Sequence, residues 1–472
     1  MKRLCSRYLS RRGLLVGGAS AAAGLAGGVV LGWKAREQSA NTVPFRARTN
    51  EVVRAPLGIP GSFPGRVVEV RNPRSVNASY AIDAAAVRTM MEDGITHLTG
   101  AHNDVPEAWR RFFTGGDLGD VVGIKVNPVG RKARSGEPGR VPNAVGSISS
   151  PEIVAETIRS LVEYCRIPRR NILIFDRYAN EMRETGYDRI ADDLGVRWCA
   201  ASAAYDETQV EIDGQARGGA RDPNVVGYDP DVYVTMGFAA PEHDSKDDRR
   251  HRSHLTTIVT RRINKLITIP CLKDHKSSGV TLSLKNMSHG MNNNVCRSHL
   301  AGIYRIGGGV SGPNQCNTFI PTAVNQRPLL EKATLHILDG LIGVYEGGPG
   351  NWNRTWGVWP YGGIFMATDP VAMDHVGWNI IDAERARRGW APVGQMGLIQ
   401  RGESVMMSAE KTAMAISDPT VAAALVAEHI RTRPVISEPF DRRQPEHIAL
   451  AGMIGLGTFA ATAIEHRTIR QG

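Results

Sequence analysis

The sequence predicts an α/β fold: a largely parallel sheet with helices on both faces, in a single large domain after an N-terminal signal. Three observations carry that prediction. Short Val- and Ile-rich runs recur, and each stops abruptly at polar or charged residues. A helix start and an amphipathic stripe separate the first two runs, which makes a βαβ unit. The composition, 42% apolar and 22% charged over 472 residues, is that of a chain able to bury a sizeable core.

In chain order, residues 1–40 read as a twin-arginine export signal. Ser10-Arg11-Arg12-Gly13 stands directly before an uncharged Gly- and Ala-rich run that ends at Trp33. That run is just long enough to span a bilayer, but its seven glycines make it a poor spanning helix. The segment also holds seven Lys or Arg and one Glu. This leaves 50 basic against 46 acidic residues elsewhere, although the formal charge of the whole chain is +10. No basic block interleaved with aromatics follows, so nucleic acid is not an expected partner. Residues 41–64, punctuated by Pro56, Pro60 and Pro64, read as a linker, and 65–466 as the domain.

Four apolar runs are the expected strands. Val121–Val126 ends with Lys125 and Asn127, and Asn171–Phe175 ends in Asp176-Arg177. Lys265–Cys271 leads into Lys273-Asp274-His275, and Thr334–Leu338 ends in Asp339-Gly340. Unbroken apolar runs of this length suit strands covered on both faces. Ser149-Ser150-Pro151-Glu152 has the spacing of a capping box, with Pro in the first turn. Ile153, Val154, Ile158, Leu161, Val162 and Cys165 then share one stripe. Ligands of open parallel sheets sit beyond the carboxyl ends of the strands, and all four runs place their polar residues there.

The densest polar stretch is Ile269–His299. As a strand, residues 280–286 would share Thr281, Ser283 and Lys285 on one face; as a helix, Thr281, Lys285 and His289 would align at spacings of four. Lys125, Lys273 and Lys285 are candidates to fix an anionic or carbonyl group. His275, His289 and His299 are candidate acid/base groups or metal ligands. Asn127, Asp176, Arg177, Asn286 and Asp339 are candidate ligand-binding or orienting residues. A divalent metal ion is the candidate cofactor, although HExxH and paired-histidine spacings are missing.

Other segments compete. His251 and His254 lie in a stretch so charged that a solvated turn is expected; Asp369 and Asp374 sit around a helix start, and Asp369 reads equally as an N-cap or as a ligand. Residues 127–150 offer Gly, Arg and Lys ahead of a helix N-terminus, with a surface loop the plainer reading. Trp352, Trp356, Trp359 and Tyr361 suit either a substrate platform or packing against the sheet. Cys165, Cys199, Cys271, Cys296 and Cys316 show no CxxC spacing, so no iron–sulfur cluster is expected. Cys296 and Cys316 are a candidate disulfide pair outside the cytoplasm.

Several motifs together resemble the domain-of-unknown-function 362 family. They are VVGIKVN, the SPEIV helix start, NILIFDR, INKLITIPCLKDHKSSGVTLSLKNMSHG with NNNVCRSH, ILDG and ATDPVAMD. The resemblance runs from residue 65 to the GLG at 455–457 and is most specific over Leu272–His299. Some relatives carry ferredoxin-type cysteine clusters that this chain lacks. The family has no settled activity, so the resemblance implies an architecture and site positions rather than a reaction. The expectation is an exported enzyme, periplasmic or extracytoplasmic, with the twin-arginine machinery and a small-molecule ligand as partners. Membrane contact is peripheral and requires an uncleaved signal. The alternative is a non-catalytic metal- or ligand-binding protein of the cell envelope.

Overall fold

Each apolar run of the sequence becomes a strand because its alternate side chains reach two separate cores. Val67 and Val68, Leu173 and Ile174, and Leu266 and Ile267 are neighbours in sequence, yet in each pair one packs on one face of the sheet and one on the other. In this computed structural model residues 58–116, 119–130, 147–205, 210–235, 251–295, 298, 316–351, 356–394 and 445–472 are described. All belong to one unit of the chain, Asn50–Leu398 with Ser437–Gly472. Residues 1–40, expected to be an export signal, and most of the expected linker, 41–64, lie outside the described residues. Among those described, no helix is long and apolar enough to cross a membrane.

The strands are β1 (Arg66–Arg71), β2 (Val122–Lys125), β3 (Ile172–Tyr178), β4 (Arg197–Ser202), β5 (Tyr228–Thr235), β6 (Arg252–Thr256), β7 (Lys265–Thr268), β8 (Cys271–His275), β9 (Gly279–Val280), β10 (Ala333–Glu346), β11 (Gly357–Ala367) and β12 (Glu465–Arg470). The main sheet runs β12-β1-β11-β10-β7-β2-β3-β4, with β8 and β9 attached beside β10. Along this path every pairing is parallel except the two made by β11. β5 and β6 form a separate antiparallel ribbon. The expected α/β architecture is therefore present.

Among the described residues, five helices cover one face: α1 (Ala84–Thr99), α2 (Val105–Arg110), α3 (Pro151–Glu163), α4 (Ala179–Thr185) and α5 (Tyr187–Asp193). Five cover the other: α6 (Leu282–Ser288), α7 (Cys316–Val324), α8 (Arg327–Lys332), α9 (Pro370–Arg387) and α10 (His447–Met453). This division places the site. β2 and β7 are parallel neighbours. The chain leaving β2 reaches α3 on the first face, whereas the chain leaving β7 and β8 reaches α6 on the second. Where connections diverge in this way a crevice opens beyond the strand ends.

The structure departs from the expected boundaries for identifiable reasons. The fourth run does not end at Asp339-Gly340; β10 continues to Glu346, with an irregularity in its pairing to β11 between Gly340 and Ile342. The third run breaks after Thr268, because Pro270 lacks the N–H that a ladder requires. Ile269 N–H instead donates to Lys125 O, and Pro270 O accepts from Asp339 N–H. The capping box does not form. Ser150, not Ser149, is the N-cap of α3, and its hydroxyl donates to Asp339 rather than closing on the helix. Residues 282–288 take the helical alternative. His254 is not in a solvated turn: it is buried in β6, with Nδ1 against Asp229 O at 2.8 Å.

Other readings hold. Asp369 is the N-cap of α9, accepting from Val371 N–H and Ala372 N–H. Trp359 is buried in β11 between Tyr345 and Tyr361; Trp352 lies outside the described residues. The candidate Cys296–Cys316 disulfide is not borne out: Cys316 stands as a thiol whose Sγ donates to Ser298 O, and Cys296 lies outside the described residues. Within the segment expected to be a linker, Ile59 is buried, its N–H bonded to Leu330 O.

Candidate functional site

Lys125 is the last residue of β2 and is fully buried. Its ammonium, an obligate donor, has three acceptors: the Asp176 carboxylate from β3, Val126 O at 2.7 Å and Asn286 Oδ1 of α6 at 3.0 Å. Asp176 sits beside it because β2 and β3 run in parallel register, Lys125 opposite Phe175. Burial holds the Lys125 pKa below the usual lysine range, against the pull of Asp176 in the other direction. The C-terminal turn of α6 closes over the amine so tightly that a Cβ on Gly290 would lie 2.5 Å from Nζ.

This contact also fixes the Asn286 amide. An ammonium only donates, so the atom facing Lys125 is the oxygen and the nitrogen points elsewhere. Asn286 Nδ2 is buried with no hydrogen-bond partner. Arg177, the next residue of β3, donates to His289 O at 2.8 Å and lies over the Tyr178 ring.

Lys285 differs from its neighbours. It lies one residue before Asn286 on α6 and is only 8% exposed. No hydrogen bond or ion pair engages its amine among the described residues. Burial lowers its pKa to about 7; a nearby Cys316 charge would oppose this, but burial pushes that thiol up to about 12. The charges of Arg177, Lys273 and Lys125 depress Lys285 further. At the carboxyl edge of the sheet, therefore, stands a primary amine that is neutral in a substantial fraction of molecules near pH 7.

The remaining sequence candidates are placed nearby but are engaged. Lys273, on β8, donates to Val129 O, to Ser147 O at 3.2 Å and to Asn127 Oδ1 at 3.4 Å, tying together the segments after β2 and before α3. His275 Nδ1 accepts from Ser277 N–H and Ser278 N–H, closing the β8–β9 turn. His289 lies with Nε2 2.7 Å from Ser298 Oγ and its ring edge-on to Phe319. Asp339 accepts from Ser150 N–H, Ser150 Oγ–H and Leu341 N–H. Burial nevertheless raises its pKa to about 6. It braces α3 against β10 rather than orienting a histidine. His299 lies outside the described residues, among which no three His, Cys, Asp or Glu side chains come together as a metal site.

Two residues that the sequence did not assign to the site support it. Asp374 of α9 accepts from Ser283 N–H at 2.7 Å and Leu284 N–H at 2.9 Å, and so anchors the first turn of the helix that carries Lys285 and Asn286. Its position four residues into a helix gave no sign of that. Tyr178 is buried at the end of β3 with an unpartnered hydroxyl; its signal was adjacency to Asp176-Arg177.

Residues 242–379 match the model of a family described as Domain of unknown function (DUF362). Over these residues the chain is similar to that family. The DUF362 match contains Lys273, His275, Lys285, Asn286, His289 and Asp339. Lys125 and Asp176 come from strands that precede it. No curated protein and no solved structure matches the chain. The family therefore supplies no reaction, and the chemistry has to be argued from the side chains.

Proposed function

We propose that this protein is an enzyme acting on a small carbonyl-containing acid, with Lys285 as its reactive amine. One observation carries the reading: a buried lysine, without a hydrogen-bonding partner among the described residues and with its pKa held near 7, next in sequence to a buried amide donor that also lacks a partner. A desolvated lysine among other cations is the form in which an amine is nucleophilic at neutral pH. Its lone pair would attack the carbonyl carbon. The carbonyl oxygen would take up two protons, balanced by the two that the amine nitrogen gives up, and leave as water, giving an imine. Asn286 Nδ2 would donate to an oxygen of the bound acid, and the Lys125–Asp176 pair would hold that amide in place.

Reductive trapping tests this. With pyruvate as probe, borohydride should fix a secondary amine at Lys285, found by peptide mass. The yield should rise through pH 7 and be lost in Lys285→Arg. Labelling that climbs only near pH 10, as for an ordinary lysine, would sink the reading.

A second reading, a non-catalytic ligand-binding protein, is favoured by the engagement of Lys273, His275 and His289 in internal hydrogen bonds. Export through the twin-arginine route, which would place the protein outside the cytoplasm, is supported by Arg11-Arg12 ahead of the Gly/Ala run. Arg11→Lys with Arg12→Lys should leave the protein in the cytoplasmic fraction. Unchanged export of that variant would refute the route.

A further inference from the structure

Beyond the carboxyl ends of β3 and β4 a cleft opens with about 640 Å³ of empty space, part of it continuous with solvent. Tyr178, Tyr205 and Tyr228 line it, together with Ser202, Gln215 and Asn293. The Tyr178 and Tyr205 rings meet edge to face at 6.3 Å, and Tyr205 is largely exposed at the mouth. The back wall is rigid: a Cβ on Gly214 would collide with Ala201 O, so this loop is pressed against the end of β4.

The polar groups identify what would fit. Glu211 and Arg217 face one another at 3.4 Å, so the rim charges offset each other. The Gln215 amide is satisfied by Asp222 and Val225, and both ends of the Asn293 amide bond to backbone. Two hydroxyl features remain. The Tyr228 and Ser202 hydroxyls share one hydrogen bond at 2.9 Å, which leaves acceptor capacity on each. The Tyr178 hydroxyl is buried with no partner, and leaving it so costs free energy that a ligand oxygen would recover. Aromatic walls with neutral hydroxyl groups complement an uncharged ring that carries hydroxyls. The cleft adjoins the lysine cluster through Arg177, which lies 4.3 Å from the Tyr178 ring centroid and bonds to His289 O.

We propose that this tyrosine-lined cleft binds a hydroxylated ring, the part of the substrate remote from Lys285. The inference rests on the reading of Lys285 and Asn286 as the reacting end of the same site. Phenol and methyl β-glucoside are the probes, titrated separately against the full chain by saturation-transfer NMR. Binding of either supports a hydroxylated ring and tells an aromatic from a sugar source. Tyr178→Phe should weaken the bound probe by about tenfold, the loss of one buried hydrogen bond. If that variant melts early, Ser202→Ala, which frees the Tyr228 hydroxyl from its partner, replaces it. Toluene binding as tightly as phenol, no binding of either probe, or full affinity in both variants would overturn the proposal. Lys285→Ala should keep probe binding while abolishing trapping, so failure of the amine chemistry is told apart from failure of the cleft.

Discussion

Replacing Asp176 with Ala should destabilise the protein by about 3–5 kcal/mol, the cost of leaving a buried charge uncompensated. Lys125 is fully buried and Asp176 nearly so, so water cannot take over the carboxylate's role. Val126 O and Asn286 Oδ1 remain as acceptors, but neither carries a charge. The amine can escape by releasing its proton, and burial already biases it that way. That escape sets the lower end of the range. The double variant Lys125→Met, Asp176→Leu removes both charges and should recover much of the loss, since apolar replacement of a buried pair is often neutral. Urea unfolding of the two single variants and the double one measures the coupling. An Asp176→Ala cost below about 1 kcal/mol would show that the pair is not the buried ion pair described.

The fold was legible wherever a single local signal sufficed. β2, β3 and β7 were visible as apolar runs, because strands covered on both faces need no polar alternation. The α3 stripe was visible because its apolar residues face one core. β10 was misjudged at Asp339-Gly340, a pair that reads as a turn. In the structure the Asp339 carboxylate is satisfied by Ser150, from a segment 189 residues away in sequence, and by Leu341 N–H. The strand can therefore run on. A distant partner overrode a local breaker, and no window of sequence contains that partner.

The site was legible as a set of positions and illegible as a set of roles. Lys125, Asp176 and Asn286 meet as direct partners because the strand ends and α6 converge at the crevice. Lys273 looked equivalent to Lys285, both being lysines in the same polar stretch. Three oxygens delivered by residues 127–147 make the first a structural cation. Among the described residues no such oxygen meets the second. Hydrogen-bond satisfaction is a tertiary property, and here it separates a brace from a candidate reactive group.

Asp374→Ala should cost about 1–3 kcal/mol for each of the two buried N–H groups it strands, those of Ser283 and Leu284. The loss falls on the first turn of α6, where Leu282 holds a φ of +34°, so the variant should also shift Lys285 from its place. Lys285 trapping in Asp374→Ala should therefore fall at a temperature where the variant is still folded, whereas a purely global loss of stability would leave trapping of the folded fraction unchanged. The wild-type carboxyl carries a pH signature as well. Burial raises its pKa to about 8, against the pull of the two N–H donors. The folded state thus keeps a proton that the unfolded chain releases near pH 4, so this group's contribution is full below that pH and declines up to about 8. The slope is on the order of 1 kcal/mol per pH unit. Subtracting the unfolding free energy of Asp374→Asn from that of wild type, pH by pH, cancels the other titrating groups. A difference that stays flat between pH 4 and 8 would show that Asp374 is ionised in the folded protein, bound to the helix as a carboxylate.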